Sequence, residues 1–587
     1  MKRKESLLIS FILISLTIGT VYAQPKPVSD YRGDYKNGGT LNLALAEDLS
    51  TLNPVVTFKG VDIAIRNLIY PTLLVNDPNW RFDAPWLADS FEVSMSGLNY
   101  TFHLNADAKW SDGETITSDD VNFSIHYYME YDLATSTPHV SNIESVDIPD
   151  ANTVVINLYK ASASWLTTSL FNIFILPEHV WSTIDNPSQY ANENPVSAGP
   201  FNFVKWEKGQ YVELAANDDF WLGRPYIDKI IYSVITSRDS RILAYEQGTI
   251  DAVGLLGSDI PKFLNFDDTR IYQTVDPGMT LLGINNLAAP GNDTAFRRAI
   301  AHTVDRERIA QTIYFGYAKP NLYYITTPYN ASGRWQNPDV AQYPYNLTLA
   351  QEMLDAAGYV DADEDGYRDL PDGTPITLVI ETTSTITTWI RAAELIVDVW
   401  KTIGFDAEVL AVDLGQQIND MMITKNYMFT YYRYGPFSAD PGEYMGFASE
   451  AQADGGINTA AWINDTYNDL QDQQLVELDE DARRALVHQQ LEIYMEEVPN
   501  VPTVEGIGLS AVRTTKFGGV INSLPYGPIS NLDKYNFMSL YSLDAQVEDE
   551  PDPEPEETGG IPGFPYESVL AGLAAAAILV WYVNKNN

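Results

Sequence analysis

Apolar and polar positions follow two periods along this chain. From Leu98 to Leu104, Tyr100, Phe102 and Leu104 alternate with polar neighbours, the pattern of a half-buried strand. Ser111-Asp-Gly113 follows with a side-chain acceptor and a permissive backbone, which predicts a tight turn. Thr117 then stands as a helix N-cap, with Asp120 placed to complete an acidic variant of the capping pattern. After it Val121, Ile125 and Tyr128 recur at helical spacing. Thr377-Leu-Val-Ile380 reads as another strand. These residues define scaffold elements and carry no chemistry themselves.

The two ends break this pattern. Lys2-Arg-Lys4 precedes an apolar run from Leu7 to Val21, with Val21 and Ala23 at the positions a signal peptidase inspects. Residues 1–23 are therefore expected to be a signal peptide, and 24–37 an N-terminal linker. Near the other end, Glu, Asp and Pro dominate from Val547 to Glu557, followed by Gly559-Gly-Ile-Pro-Gly-Phe-Pro565 and an apolar stretch from Val569 to Val583. This predicts an acidic, Pro-rich stalk over 546–566 and a C-terminal transmembrane anchor over 567–584. Trp581 and Tyr582 suit the membrane interface and Lys585 its inner side, although the stretch is shorter than the roughly 20 residues that span a bilayer comfortably. The alternative is a processed tail, similar to the sorting tails of archaeal surface proteins. Either version places the main body at the cell surface, on the extracellular side of the plasma membrane.

Composition removes whole classes of function. A formal net charge of −43 argues against nucleic acid, because phosphate binding needs clustered Lys and Arg. With no cysteine there are neither disulfides nor a lipid-modified N-terminal anchor. The body of roughly 500 residues is too long for a single core, so two or three domains are expected. No nucleophile elbow, metalloprotease helix or phosphate-binding glycine loop occurs, and His103, His126, His139, His179, His302 and His488 never fall at metal-ligand spacing. No catalytic residue is assigned and an enzyme is not expected, although two carboxylates distant in sequence could still serve a glycosidase. Asn-x-Ser/Thr acceptors at Asn99, Asn122, Asn292, Asn330, Asn346 and Asn464 are compatible with surface glycosylation.

The stretch Pro85-Trp-Leu-Ala-Asp-Ser90, the strand at Leu98–Leu104, Lys109-Trp-Ser-Asp-Gly113 and Thr117-Ser-Asp-Asp-Val121 together resemble the extracytoplasmic solute-binding proteins of ABC importers. The group in question takes up dipeptides, oligopeptides, nickel complexes and some oligosaccharides. The resemblance continues in order through Gly38-Gly-Thr-Leu-Asn-Leu43, Leu52-Asn-Pro54, Ser197-Ala-Gly-Pro-Phe201 and Phe220-Trp-Leu-Gly-Arg-Pro-Tyr-Ile-Asp228. Ile242–Asp251 resembles a helix that ends at Gly248 and turns into a strand, and Gly283-Ile-Asn285 a strand crossing into a second lobe. Phe296–Ala301 and Val304-Asp-Arg306 look like the helix pair that follows. There Asp293 and Asp305 act as caps, Phe296 and Ile300 share one helical face, and Ile309 and Ile313 share the next.

The resemblance implies an α/β, two-lobed, periplasmic-binding-protein-like fold of type II with three domains. Domain I would be built from 38–76, 198–285 and 510–545, domain II from 77–197, and domain III from 286–509. The ligand would lie between domains I and III, with chain crossings near Asn285 and Ile507 as hinge strands.

Tyr431-Tyr-Arg-Tyr-Gly-Pro-Phe-Ser-Ala-Asp-Pro441 resembles the family segment that lines the cleft. In peptide-binding members this segment sets an aspartate against the ligand's α-amino group a few residues before an Asp-Pro pair. If Asp440-Pro441 is that pair, the aspartate's place falls on Phe437. Losing that carboxylate would remove a charge-assisted hydrogen bond contributing roughly 1.5 to 3 kcal/mol. With Tyr432 and Tyr434 close by, an aromatic there suits a ligand read by stacking, and Arg433 could pair with a carboxylate. A shifted alignment would leave Asp440 to hold the amine, and cross-strand packing alone would account for the tyrosines. Position in the family adds Asp48 and Leu49, Asn458, and Trp389 on a helix that also carries Ala393 and Trp400.

A separate feature is Asp361-Ala-Asp-Glu-Asp-Gly366. There Asp361, Asp363, Asp365, Asp369 and Asp372 fall at alternate and later positions of a calcium loop, with Gly366 at its sharp turn. This gives a possible structural calcium, against the simpler reading of an Asp-Gly-rich surface turn. No other cofactor is expected. The expected partners are a small-molecule ligand, peptide or oligosaccharide, and an ABC permease with its ATPase subunits. The membrane would be reached through the tail, and the receptor is expected to be a monomer. The rival class is a surface adhesion protein that has kept the fold without transport.

Overall fold

The computed structural model describes residues 27–546, except 57–58, 132, 134–136, 325–334, 436–439, 450–457, 525–526 and 530–533. The expected signal peptide and the expected stalk and anchor lie outside the described residues. No helix among the described residues is long and apolar enough to cross a membrane.

Alternation translates into strands where it was expected. Asn99–Leu104 lies inside an antiparallel four-stranded sheet, between Ala88–Val93 and Thr153–Leu158, with Ile143–Asp150 beyond. Tyr100, Phe102 and Leu104 all point into one core, with Phe102 fully buried. The helix Ser118–Glu130 covers that core. The Thr117 side chain accepts from the Asp119 amide, while Asp120 accepts from the Thr117 amide at 2.9 Å. The capping pattern therefore satisfies donors that the first helical turn leaves open.

A second four-stranded sheet joins distant stretches of sequence. Thr40–Leu45 pairs in parallel with Lys229–Val234, which pairs antiparallel with Tyr211–Ala216 and, beyond it, Phe201–Glu207. Leu41, Leu43, Val212, Leu214 and Ile230 form its core. Gly199, just before the last of these strands, lies where a Cβ would come within 2.0 Å of the Leu68 carbonyl oxygen, so only glycine permits the approach.

The third sheet is mixed and has seven strands. Along it run Ala252–Leu255, Asn500–Arg513, Thr269–Ile284, Phe429–Tyr434, Thr377–Thr383 and Asp406–Val412, with Ala318–Pro320 also paired to Asn500–Arg513. Two of these strands are unusually long and antiparallel to each other. Their near ends, Leu509 and Ala511 with Ile271, belong to one small core. Their far ends, Met279, Leu281, Val501 and Val504, belong to the largest core of the molecule.

The passage from one core to the other coincides with a break in register between Val275 and Met279, opposite Glu505–Ile507. Ile507 pairs with Val275 at the edge of this break. Ile284, just before Asn285, lies in the larger core, and the interruption comes earlier in the strand, at Asp276-Pro-Gly278. The helix Thr294–Ala301 follows, capped by Asp293, with Phe296 and Ile300 fully buried. Asp305 caps the next turn, and of its expected apolar pair Ile309 is buried and Ile313 half-buried.

Candidate functional site

Of the segment expected to line a cleft, 431–441, the first four residues belong to an interior strand, Phe429–Tyr434, hydrogen-bonded to Thr269–Ile284 on one side and Thr377–Thr383 on the other. Because both faces of the strand are covered, alternation sends its side chains into two different environments. Tyr432 and Tyr434 go one way and are buried. The Tyr432 hydroxyl meets Thr459 Oγ1 at 2.6 Å, and the Tyr434 hydroxyl donates to the same oxygen at 3.4 Å. The two rings meet edge to face at 5.0 Å, and Tyr434 stacks on Phe447 at 4.5 Å. Burial, the largest influence, pushes the Tyr434 phenol up to about 12. These tyrosines form a packed, hydrogen-bonded wall.

Arg433 goes the other way and remains about one-third exposed. Its Nε donates to Asp276 Oδ2 at 2.9 Å, and its Nη2 donates to Asp276 Oδ1. Burial opposes the guanidinium charge, but Asp276 outweighs it and holds Arg433 above its ordinary range. Asp276 also accepts from the Gly278 amide at 2.8 Å. The carboxylate that faces Arg433 therefore sits on the register break of the crossing strand. Sequence reasoning missed Asp276, although Asp-Pro-Gly inside a strand pattern is an available signal.

Asp440 is committed elsewhere. Its Oδ2 accepts from Arg483 Nη1 at 2.8 Å and its Oδ1 from Arg483 Nη2 at 2.5 Å, in a pair whose side chains are 6% and 7% exposed. Oδ1 also accepts from the Gly442 amide at 2.8 Å, capping the helix Pro441–Gly446. Arg483 donates further to the Gln474 carbonyl at 3.0 Å. The geometry is that of a structural ion pair. Phe437 lies outside the described residues.

Each of the positional candidates has contacts of its own. Asn458 is buried beside Thr459; its Nδ2 donates to the carbonyls of Trp462 at 2.8 Å and Ser449 at 3.2 Å, and its own carbonyl accepts from Lys425 Nζ at 2.8 Å. Asp48 accepts from Trp206 Nε1 at 2.9 Å and from the Gly209 amide at 2.7 Å, which pins the loop after the first strand. Leu49 is a core residue. Trp389 is half-buried against the largest core, while Trp400 on the same helix is fully buried and donates to Thr303 at 2.8 Å.

Of the five aspartates in the calcium pattern, Asp361, Asp363 and Asp369 bring carboxylate oxygens within 4.8 Å of one another. Asp365 instead accepts from the Tyr367 amide at 2.8 Å, and Asp372 from the Thr374 amide at 3.0 Å, so these two hold turns. The converging three also accept backbone bonds: Asp361 from the Gly366 amide at 3.0 Å, Asp363 from Asp365 at 3.2 Å and Asp369 from Ala362 at 2.9 Å. Oxygen donors of this kind suit calcium, though three carboxylates fall short of its usual six to eight ligands.

Comparison with known proteins gives this geometry a context. A Brucella ovis protein named for peptide binding in an ABC transporter is 35% identical over 286 residues, covering 46% of this chain and 51% of the relative. The chain thus spans about half the length of this first relative. The structure of the oligopeptide-binding protein AppA from Bacillus subtilis, in complex with a nonapeptide, matches with a TM-score of 0.72 at 22% identity, over 86% of this chain and 99% of that one. The ABC transporter substrate-binding protein CtaP from Listeria monocytogenes matches with a TM-score of 0.75 at 21% identity, over 86% of this chain and 100% of that one. At such identities the structures establish a common fold. Residues 84–455 match the family described as bacterial extracellular solute-binding proteins, family 5 Middle, and the chain belongs to that family.

Proposed function

We propose that this chain is the extracytoplasmic receptor of an ABC importer, that its ligand is a peptide, and that it delivers the ligand to a membrane permease driven by ATPase subunits. The observation that carries this reading is the pair of long antiparallel strands, Thr269–Ile284 and Asn500–Arg513, which run between two separately packed cores and break register at Asp276–Gly278. Two cores joined by two strands can rotate about the interruption, and a ligand bridging them favours the closed arrangement. Relatives named for peptide binding and the nonapeptide complex of AppA support peptide over oligosaccharide.

In this reading Arg433 provides the anchor for a ligand carboxylate, and Tyr432 and Tyr434 form the rigid wall behind it. Residues 1–23 direct export, residues 567–584 hold the receptor at the outer face of the membrane, and residues 38–545 divide into the three domains set out above. The receptor works as a monomer and performs no chemistry on its cargo. Asp361, Asp363 and Asp369 would hold a structural calcium, tested by whether a chelator lowers the melting temperature of calcium-equilibrated protein.

The direct test is the melting temperature of the full chain against a pool of short peptides with free termini and a pool of oligosaccharides. A ligand at a hundredfold its Kd stabilises the native state by about 2.7 kcal/mol, a shift of a few degrees or less for a protein of this size. Peptides alone should raise the melting temperature; a rise with oligosaccharides alone would refute the peptide assignment.

A further inference from the structure

A second pocket lies in the large lobe, built around a residue with no part in the reading above. Glu381, on Thr377–Thr383, sits opposite Leu410 on the neighbouring strand and Thr430 on the other side, and Val379 shares its face of the sheet. The loop after the crossing strand contributes Asn285, Ala288 and Ala289, and the segment before Phe429 contributes Lys425, Asn426, Tyr427 and Met428; together they line a half-open pocket of about 440 Å³. Glu381 is only 5% exposed, and its Oε1 has no hydrogen-bond partner among the described residues.

Carboxylates in such surroundings are normally satisfied, because leaving one buried and unpaired is costly. The nearby Asp420 shows the normal case: it accepts from Gln416 at 2.6 Å and from Asn419 and Thr424, each at 3.2 Å. Lys425 lines the same pocket, with its ammonium held by backbone carbonyls. Lys425 Nζ donates to the carbonyls of Met421 at 3.1 Å and Asn458 at 2.8 Å. Burial first, and then the charge of Asp420, push Glu381 up to about 7.

We propose that this pocket is a second binding site, for an organic cation: a primary ammonium on a short apolar stem, with the ammonium at Glu381 and the stem against Val379, Leu410, Met428 and the two alanines. An anion would meet Glu381 and Asp420 with the wrong sign. A bare divalent metal would find too few oxygen ligands. A compact ammonium donates to the open Oε1 of Glu381 and offsets the carboxylate charge, while the apolar walls reward the stem. The inference does not rest on the peptide reading, since none of these residues belongs to the Tyr432–Tyr434 wall or the Arg433–Asp276 pair.

The probe is n-butylammonium, titrated into the full chain carrying ¹³C-methyl methionine, and the readout is the Met428 methyl resonance, assigned with Met428→Leu. At about pH 8, where Glu381 is ionised, the resonance should move saturably with n-butylammonium and not with n-butanol or butyrate. Glu381→Gln should weaken the response about tenfold or more. Leu410→Trp, at a position 48% exposed and therefore tolerant of size, should abolish it with Glu381 intact. An equal response to n-butanol, undiminished binding in Glu381→Gln, or no movement of Met428 would each overturn the proposal. Peptide-induced stabilisation is read separately, so failure here is distinguishable from failure of the receptor assignment.

Discussion

Glu381 makes stability depend on pH in a direction that can be worked out. In the unfolded chain its carboxyl titrates near the ordinary 4.5; in the fold burial raises it to about 7. The fold therefore binds this proton more tightly, and the group's contribution is intact below the unfolded value and lost as pH rises through about 7. Glu381→Gln should be more stable than the parent at about pH 8, by up to about 3 kcal/mol, and indistinguishable from it below the unfolded value. Urea unfolding at the two pH values reads the difference directly. Asp440 makes the opposite kind of case. Its pairing with Arg483 predicts that Arg483→Met, which strands a buried carboxylate, costs about 3 to 5 kcal/mol. If Arg483→Met leaves the urea midpoint unchanged and weakens ligand binding instead, Asp440 is a ligand contact and not a structural anion. Nothing local in the sequence announces this pair, because the partners are brought together only when two helices pack.

At the scale of elements, the crossing strands and the Arg433–Asp276 pair act as one unit. A Cβ on Gly278 would fall 2.0 Å from Arg433 Cζ. Gly278→Ala must therefore push the guanidinium, the far end of a flexible side chain, off Asp276 without removing either charge. The expected result is a small change in melting temperature with an altered Kd for ligand. Arg433→Met should weaken peptides with a free C-terminal carboxylate about tenfold more than their amidated forms. Equal losses for both forms would show that Arg433 holds the hinge and not the ligand. Strand and helix identities were largely legible in the sequence: Tyr100, Phe102 and Leu104 alternate as they pack, and Thr117 and Asp120 cap as their spacing implies. Tyr432 and Tyr434 are singled out by resemblance alone, because a period of two says that neighbours face opposite ways and not which way is wet. Both sides of that strand are covered, so the tyrosines became core and only Arg433 kept partial exposure. The crossing near Asn285 comes from the match at Gly283-Ile-Asn285, while the register break at Asp276-Pro-Gly278 carries no such match.

For the whole molecule, a formal charge of −43 means that like charges repel across the folded surface. Raising sodium chloride from about 10 mM to about 0.5 M should raise the melting temperature by screening that repulsion. A fall would show that attractive pairs such as Arg224 with Asp218 and Asp228 outweigh it. The division into separately packed cores also bears on motion, since each core can stay intact while the two strands between them bend. The most direct test of the receptor account is small-angle scattering of the full chain, with and without a saturating pool of short peptides carrying free termini. Closure of two lobes about the Asp276–Gly278 interruption predicts a saturable fall in the radius of gyration, with Gly278→Ala shifting the concentration at which it occurs. A radius unchanged by peptides that raise the melting temperature would contradict it, because binding would then occur without the movement a permease must recognise.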